Sequence, residues 1–196
     1  MRNTLIVAIA LIAISLASCN NGGSSAPATA DTTSKAPAMS KEERNTNTIK
    51  TDMVAMNNHD MAKMKNDASP DFVEYGDGSM PPVKGDSAWT MFSQWMNAFP
   101  DMKAENSVYT ASGDWVMAWS DYSCTFKGDL MGIKATGKSC KFKDVDIFKF
   151  DDSGKVLEHH NVYPSGAMMM QCGVDMSKMM PPTADKKDMK KEKGKM

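Results

Sequence analysis

The sequence predicts an α+β fold, with helices first and an antiparallel meander after them. Three observations predict it. Residues 138–151 alternate in period two: Cys140, Phe142, Asp144, Asp146, Phe148 and Phe150 share one face, and Lys141, Lys143, Val145, Ile147 and Lys149 share the other. Residues 87–99 instead carry Trp89, Phe92, Trp95, Met96 and Phe99 at three- and four-residue spacings, and Pro100 ends that pattern. Four strand-like segments (107–112, 114–126, 138–151 and 156–163) then follow the helical ones without interruption.

The elements read in order as follows. Met1-Arg2-Asn3 is a short basic start, and residues 5–16 are apolar but too few to span a membrane. Residues 20–40 are rich in Asn, Gly, Ser, Ala, Pro and Thr and read as a flexible tether. Ile49, Met53, Met56, Met61 and Met64 form a rough helical stripe, broken near Asn57-Asn58. Asp151-Asp152-Ser153-Gly154 is the turn between the last two strands. The chain closes on Pro181-Pro182 and a Lys-rich tail that alternates with Asp and Glu. This divides the chain into a leader (1–18), a tether (19–44), one domain (45–175) and a solvated tail (176–196).

Pairing follows from the turns. A hairpin centred near Gly132 sets Ala118 opposite Asp146, Ser120 opposite Asp144, Tyr122 opposite Phe142 and Cys124 opposite Cys140. A turn centred between Ser153 and Gly154 sets Asn161 opposite Asp146 and His159 opposite Phe148. One face then carries Ser120, Tyr122, Asp144, Asp146, His159, Asn161 and Tyr163 among Val116, Phe148 and Leu157. A one-residue slip would turn that whole set outward. The opposition of Cys124 and Cys140 predicts a cross-strand disulfide with Cys172 left over. Three reduced, buried cysteines are the alternative.

Several stretches resemble a known family. "VDIFKFDDSGKVLEHHNVY" (145–163) is similar to the last two long strands of SnoaL-like proteins of the NTF2-like superfamily. "DFVEYGDG" (71–78), "GDSAWTMFSQWMNAFPDMKAE" (85–105) and the stretch 113–148 resemble, in order, the family's first strand, its Gly-x-x-Ala-Trp helix and its central hairpin. The resemblance covers residues 45–175. It implies a cone, a curved antiparallel sheet wrapped on helices around a pocket, and dimerisation through the outer sheet face, where Val145, Ile147 and Val162 fall. The family's Glu-His-x-Asp segment reads Glu158-His159-His160-Asn161 here, so Asn161, which transfers no proton, stands in the acid's place. Asp146 matches the oxyanion-hole Asp of the related ketosteroid isomerases, and their base falls near Tyr75, with no carboxylate expected there. The segment Leu16-Ala17-Ser18-Cys19 resembles a bacterial lipoprotein cleavage site. It implies lipidation of Cys19 and an exported, membrane-anchored protein, with an ordinary secretory signal as the alternative.

Candidate chemistry centres on His159 and Asp146, an imidazole and a carboxylate suited to acid–base work near neutral pH. Tyr75, Trp89, Ser120, Tyr122, Asp144, Phe148, Asn161 and Tyr163 are the expected ligand contacts. Trp95, Trp115 and Trp119 are read with Trp89 as core and pocket wall. The expected function is capture of a small hydrophobic or amphipathic molecule, with isomerase- or cyclase-like proton transfer as the alternative. No cofactor is called for. The chain holds 20 methionines, against two leucines after residue 18. Methionine as core filler accounts for most of them. The run Met168-Met169-Met170-Gln171-Cys172, followed by Met176, Met179 and Met180, keeps a soft-metal reading open, with Cu(I) as the ion. A formal net charge of −1 and the lack of an aromatic-plus-basic patch argue against nucleic acid.

Overall fold

The computed structural model describes residues 38–176. The expected leader, Cys19, most of the tether and the tail with Met179 and Met180 lie outside the described residues. Four helices and six strands follow one another: α1 (Lys41–Asn57), α2 (Met61–Asp67), β1 (Ala68–Gly76), β2 (Val83–Lys84), α3 (Gly85–Ala98), β3 (Lys103–Ser112), β4 (Trp115–Thr125), β5 (Ser139–Phe150), β6 (Val156–Asn161) and α4 (Ser165–Gln171). Helix α1 begins at Lys41, inside the segment expected as tether. Ser40 caps it, its hydroxyl accepting from the Glu43 amide at 3.1 Å. The helical stripe breaks after Asn57, as its two asparagines predict, and Asp60 caps α2 through the Lys63 amide at 3.0 Å.

One sheet of six strands forms, in the order β2-β1-β6-β5-β4-β3. The hairpin registers are those the turns predict: Ala118↔Asp146, Ser120↔Asp144, Tyr122↔Phe142 and Cys124↔Cys140, then Asp146↔Asn161 and Phe148↔His159. The turn between β5 and β6 is held by Asp151, whose Oδ1 accepts from the amides of Ser153 (2.9 Å) and Lys155 (3.0 Å). Gly154 takes the positive φ of 81° that this turn requires.

Two features depart from the expectation. The sheet is mixed, because β1 lies parallel to β6. A bulge also interrupts β6: Phe150 pairs with Val156 while Lys149 pairs with Glu158. Leu157 is the extra residue, so Val156 fills the inner face in its place and Leu157 stays half-buried.

The core falls into two clusters. Ile49, Met53, Phe72, Val116 and Phe150 pack α1 and α3 against the sheet. Phe99, Phe126, Leu130 and Met168 join the end of α3, the β4–β5 hairpin and α4. Phe99 is fully buried and stacks on Phe126 with centroids 5.2 Å apart. Burial of such a side chain contributes about 2–3 kcal/mol. Asn57 fastens the end of α1 to β3: its Nδ2 donates to the Ala104 carbonyl and its Oδ1 accepts from the Ala104 amide, both at 2.8 Å. Cys124 and Cys140 form a disulfide, and Cys172 is a buried free thiol. Among the described residues no helix is long and apolar enough to cross a membrane.

Candidate functional site

Period two along β5 turns Phe142, Asp144, Asp146 and Phe148 toward the helices, and they line a cavity of about 310 Å³. Trp89, Phe92 and Trp95 of α3 wall it with Phe72. Nine of the lining residues are methionines, so much of the wall is unbranched and adaptable.

A chain of polar side chains crosses this apolar surface. The Tyr122 hydroxyl donates to Asp146 Oδ2 at 2.6 Å. Asp146 Oδ1 lies 3.3 Å from His159 Nε2, and His159 Nδ1 lies 2.7 Å from Glu74 Oε2. The remaining Glu74 oxygen accepts from the Gly76 amide at 2.8 Å. Phe148 stacks on the imidazole with centroids 4.9 Å apart. The registers make this arrangement, since Glu74 pairs with His159 and His159 pairs with Phe148 across three adjacent strands.

The electrostatics follow. Burial opposes a charge on His159, but the Glu74 carboxylate and the hydrogen bonds that the ring donates to Asp146 and Glu74 outweigh it. Its pKa rises from the usual 6.5 to about 10. Burial likewise opposes ionisation of Glu74, yet the His159 charge, its hydrogen bond and the Gly76 amide hold that carboxyl below its usual value. Burial, reinforced by Asp146, pushes the Tyr122 phenol far up. At neutral pH the Tyr122 phenol therefore keeps its proton, His159 is an imidazolium and Glu74 a carboxylate, with Asp146 bridging the phenol and the imidazolium. His159 is a cation and donor there.

The expected residues divide into those that meet and those that do not. His159, Asp146, Tyr122 and Phe148 come together, and Trp89, Asn161 and Tyr163 line the same cavity. Asp144 lines it too, but its oxygens are taken by the chain. They accept from the amides of Val145 and Tyr163 (2.7 Å each) and Val162 (3.0 Å) and from Asn161 Nδ2 (3.2 Å). Burial pushes the Asp144 carboxyl up, and these donors oppose the shift. Asp144 thus clasps the end of β6 and engages Asn161. Ser120 does not reach the cavity, because its hydroxyl is 2.7 Å from that of Ser107 and it is buried. Tyr75 borders the cavity, but its ring stacks on His160 with centroids 4.4 Å apart. Trp115 and Trp119 are not pocket wall: Lys149 and Lys143 lie over their rings, and Trp119 is half exposed.

Two acidic residues were missed in the sequence. Glu74 supplies a carboxylate beside Tyr75, where none was expected. The alternation of Phe72 and Glu74 against Val73 and Tyr75 holds the signal, but both sets contain apolar residues and the phase is ambiguous. Asp52 borders the same cavity. Burial pushes its pKa up to about 6, against the opposing Lys63 ammonium at 2.9 Å.

A pH dependence follows. The stabilisation from His159 is complete below the unfolded imidazole's usual 6.5 and is lost as pH rises through about 10. Glu74 acts oppositely, its contribution being lost only as pH falls through its lowered pKa. The urea midpoint of the wild type is expected to decline between pH 7 and 10. In His159→Gln the decline in that window is expected to be much shallower, as equilibrium unfolding at several pH values will show.

The comparisons with known proteins agree with this fold. No curated protein matches the chain. A SnoaL-like candidate polyketide cyclase from Jannaschia sp. CCS1 superposes with a TM-score of 0.61 at 20% identity, covering 68% of this chain and 94% of its own. A candidate polyketide cyclase from Xanthomonas campestris pv. campestris gives 0.60 at 22% identity, covering 68% and 99%. AclR, a candidate hydroxylase from Streptomyces galilaeus, gives 0.57 at 24% identity, covering 76% and 89%. These likenesses establish the NTF2-like fold. The family model of the SnoaL-like polyketide cyclases matches residues 48–172, and the chain belongs to that family.

Proposed function

We propose that the cone captures a small, mostly apolar molecule and holds one acceptor oxygen of it against His159. One observation carries this reading: a methionine- and aromatic-walled cavity with an imidazolium set between two carboxylates. The apolar wall supplies affinity, and the charged donor fixes orientation. The Nε2–H contact to Asp146, at 3.3 Å, is long for a charge-assisted hydrogen bond, so a ligand carbonyl competes well for that proton.

A second reading, proton transfer of the isomerase or cyclase kind, is favoured by the Tyr122–Asp146–His159–Glu74 chain. Asn161 cannot serve as acid or base. Asp146 would accept a proton from carbon beside the ligand carbonyl, while the His159 imidazolium stabilises the oxyanion that forms. The proton would then return from Asp146 to another position on the same molecule.

The two readings separate on one titration series. For polycyclic enones, His159→Gln is expected to lower affinity about tenfold, roughly 1.4 kcal/mol, and to leave the matching hydrocarbons unaffected. Equal losses for both ligand classes contradict the acceptor role. Exchange of the enone α-protons with deuterated solvent, seen by NMR in the wild type and lost in Asp146→Asn, supports the second reading. Its absence in the wild type leaves the protein a binder.

We also read the chain as exported, anchored by lipid on Cys19 and able to pair through its outer sheet face. The basic start, the apolar run and the Leu-Ala-Ser-Cys segment support the anchor. Exposed Val108, Met117, Trp119 and Val162 support the pairing. Metabolic labelling with an alkyne fatty acid in a bacterial host is expected to mark the wild type and not Cys19→Ser. Equal labelling excludes the anchor at that residue. Sedimentation of the soluble domain at rising concentration reports the pairing, and a monomer throughout excludes it.

A further inference from the structure

Three sulfurs meet in the second core cluster, and none of them lines the His159 cavity. Cys124 of β4 and Cys140 of β5 are register partners with Cα atoms 5.5 Å apart. Cys172 comes from a different part of the fold, at the C-cap of α4. Their Sγ atoms all lie within 4.8 Å of one another, and the three residues are 4%, 3% and 0% exposed. Metal–thiolate bonds of about 2.3 Å place the sulfurs of a trigonal site about 4 Å apart. Reduction must therefore let the bonded Cys124 and Cys140 sulfurs separate, while Cys172 already lies within 4.8 Å of both.

The third sulfur is positioned rather than incidental. The Cys172 amide donates to the Met168 carbonyl at 3.0 Å, and the Thr136 hydroxyl of the β4–β5 loop donates to the Cys172 carbonyl. Gln171 Oε1 accepts from the Lys141 amide at 3.4 Å, and its Nε2 donates to the Tyr163 hydroxyl at 2.6 Å. The Thr136 and Lys141 contacts bind the end of α4 to the hairpin that carries the other two cysteines. The surroundings are Phe126, Leu130, Met168 and Met169. Among the described residues no histidine or carboxylate joins the group.

We propose that Cys124, Cys140 and Cys172 form a redox-gated site for a single Cu(I) ion, closed by the Cys124–Cys140 disulfide and opened by its reduction. The ligand set selects the metal. Zn²⁺ wants four ligands in a tetrahedron, whereas three soft sulfurs without a nitrogen or oxygen donor suit Cu(I). Two equivalents of a small thiol open the site. They break the Cys124–Cys140 bond, each sulfur leaves as a thiol with its proton, and the reductant departs as its own disulfide. Cu(I) then bonds to the three sulfurs without changing oxidation state, and the displaced thiol protons pass to water. The methionine-rich run that kept a soft-metal reading open contributes the apolar setting around the site, through Met168 and Met169.

The test uses the full chain carrying Cys19→Ser, so that no other thiol competes. The protein is reduced with excess thiol, freed of it anaerobically, and titrated with Cu(I) held by the chromophoric chelator bathocuproine disulfonate. One Cu(I) per chain is expected to leave the chelator for the reduced protein. Affinity is expected to fall at least 100-fold in the oxidised protein and at least 100-fold in reduced Cys172→Ser. X-ray absorption of the loaded protein is expected to show three sulfur neighbours at about 2.3 Å. The proposal is overturned if reduced wild type leaves the copper with the chelator, or if Cys172→Ser or the oxidised form binds as tightly. Oxidised Cys172→Ser retains the bridge, so its circular dichroism separates lost binding from lost folding. Should that variant not fold, reduced Cys124→Ser carries the same expectation.

Discussion

The site depends on one interaction, a largely but not fully buried imidazolium held between two carboxylates. An ionised side chain in an apolar cavity is costly unless it is paired and hydrogen-bonded. His159 meets both conditions through Glu74 at 2.7 Å and Asp146 at 3.3 Å. The same pairing permits Glu74 and Asp146 to lie inside the cone, and Asp146 in turn fixes the Tyr122 hydroxyl. Removal of one partner would leave the others as uncompensated buried charges, so the chain behaves as a unit.

The sheet makes that unit possible. Side chains from β1, β6, β5 and β4 converge only because these four strands are adjacent in one sheet and their inner faces are in phase. The Asp144 clasp holds the end of β6 where Tyr163 turns toward α4. The bulge at Leu157 changes the phase of β6 between Val156 and Glu158, so that both Val156 and His159 serve the inner side. Through Tyr163 and Gln171 the same region also supports α4, and so the placement of Cys172. The two candidate sites therefore share a scaffold, and Met168 borders both, but no ligand sulfur and no charge are common to them.

The local parts of this arrangement were legible in the sequence and the non-local part was not. Period two and two turn centres were enough to place Tyr122, Asp146, Asn161, Phe148 and His159 in register, because hairpin pairing is a local consequence of turn chemistry. The Cys124–Cys140 bridge was readable for the same reason. Glu74 was not, because β1 joins β6 in parallel across some eighty residues of chain and no turn announces the pairing. The approach of Cys172 to the other two cysteines is non-local in the same way. Ser120 was misjudged more locally: a hydroxyl pair with Ser107 took a side chain that the alternation assigned to the ligand, whereas Tyr75 does border the cavity with its ring stacked on His160. The raised pKa of His159 also required Glu74, since an imidazole beside Asp146 alone reads as a titrating group near pH 7.

The measurement that tests the account most directly is the ¹⁵N chemical shift of the His159 imidazole against pH, in the wild type and in Glu74→Gln. The ring is expected to stay doubly protonated through pH 8 in the wild type, and its transition to move well toward neutrality in the variant. A wild-type ring that already titrates near 6.5, or a transition that Glu74→Gln leaves in place, would contradict the buried imidazolium and the role given to Glu74.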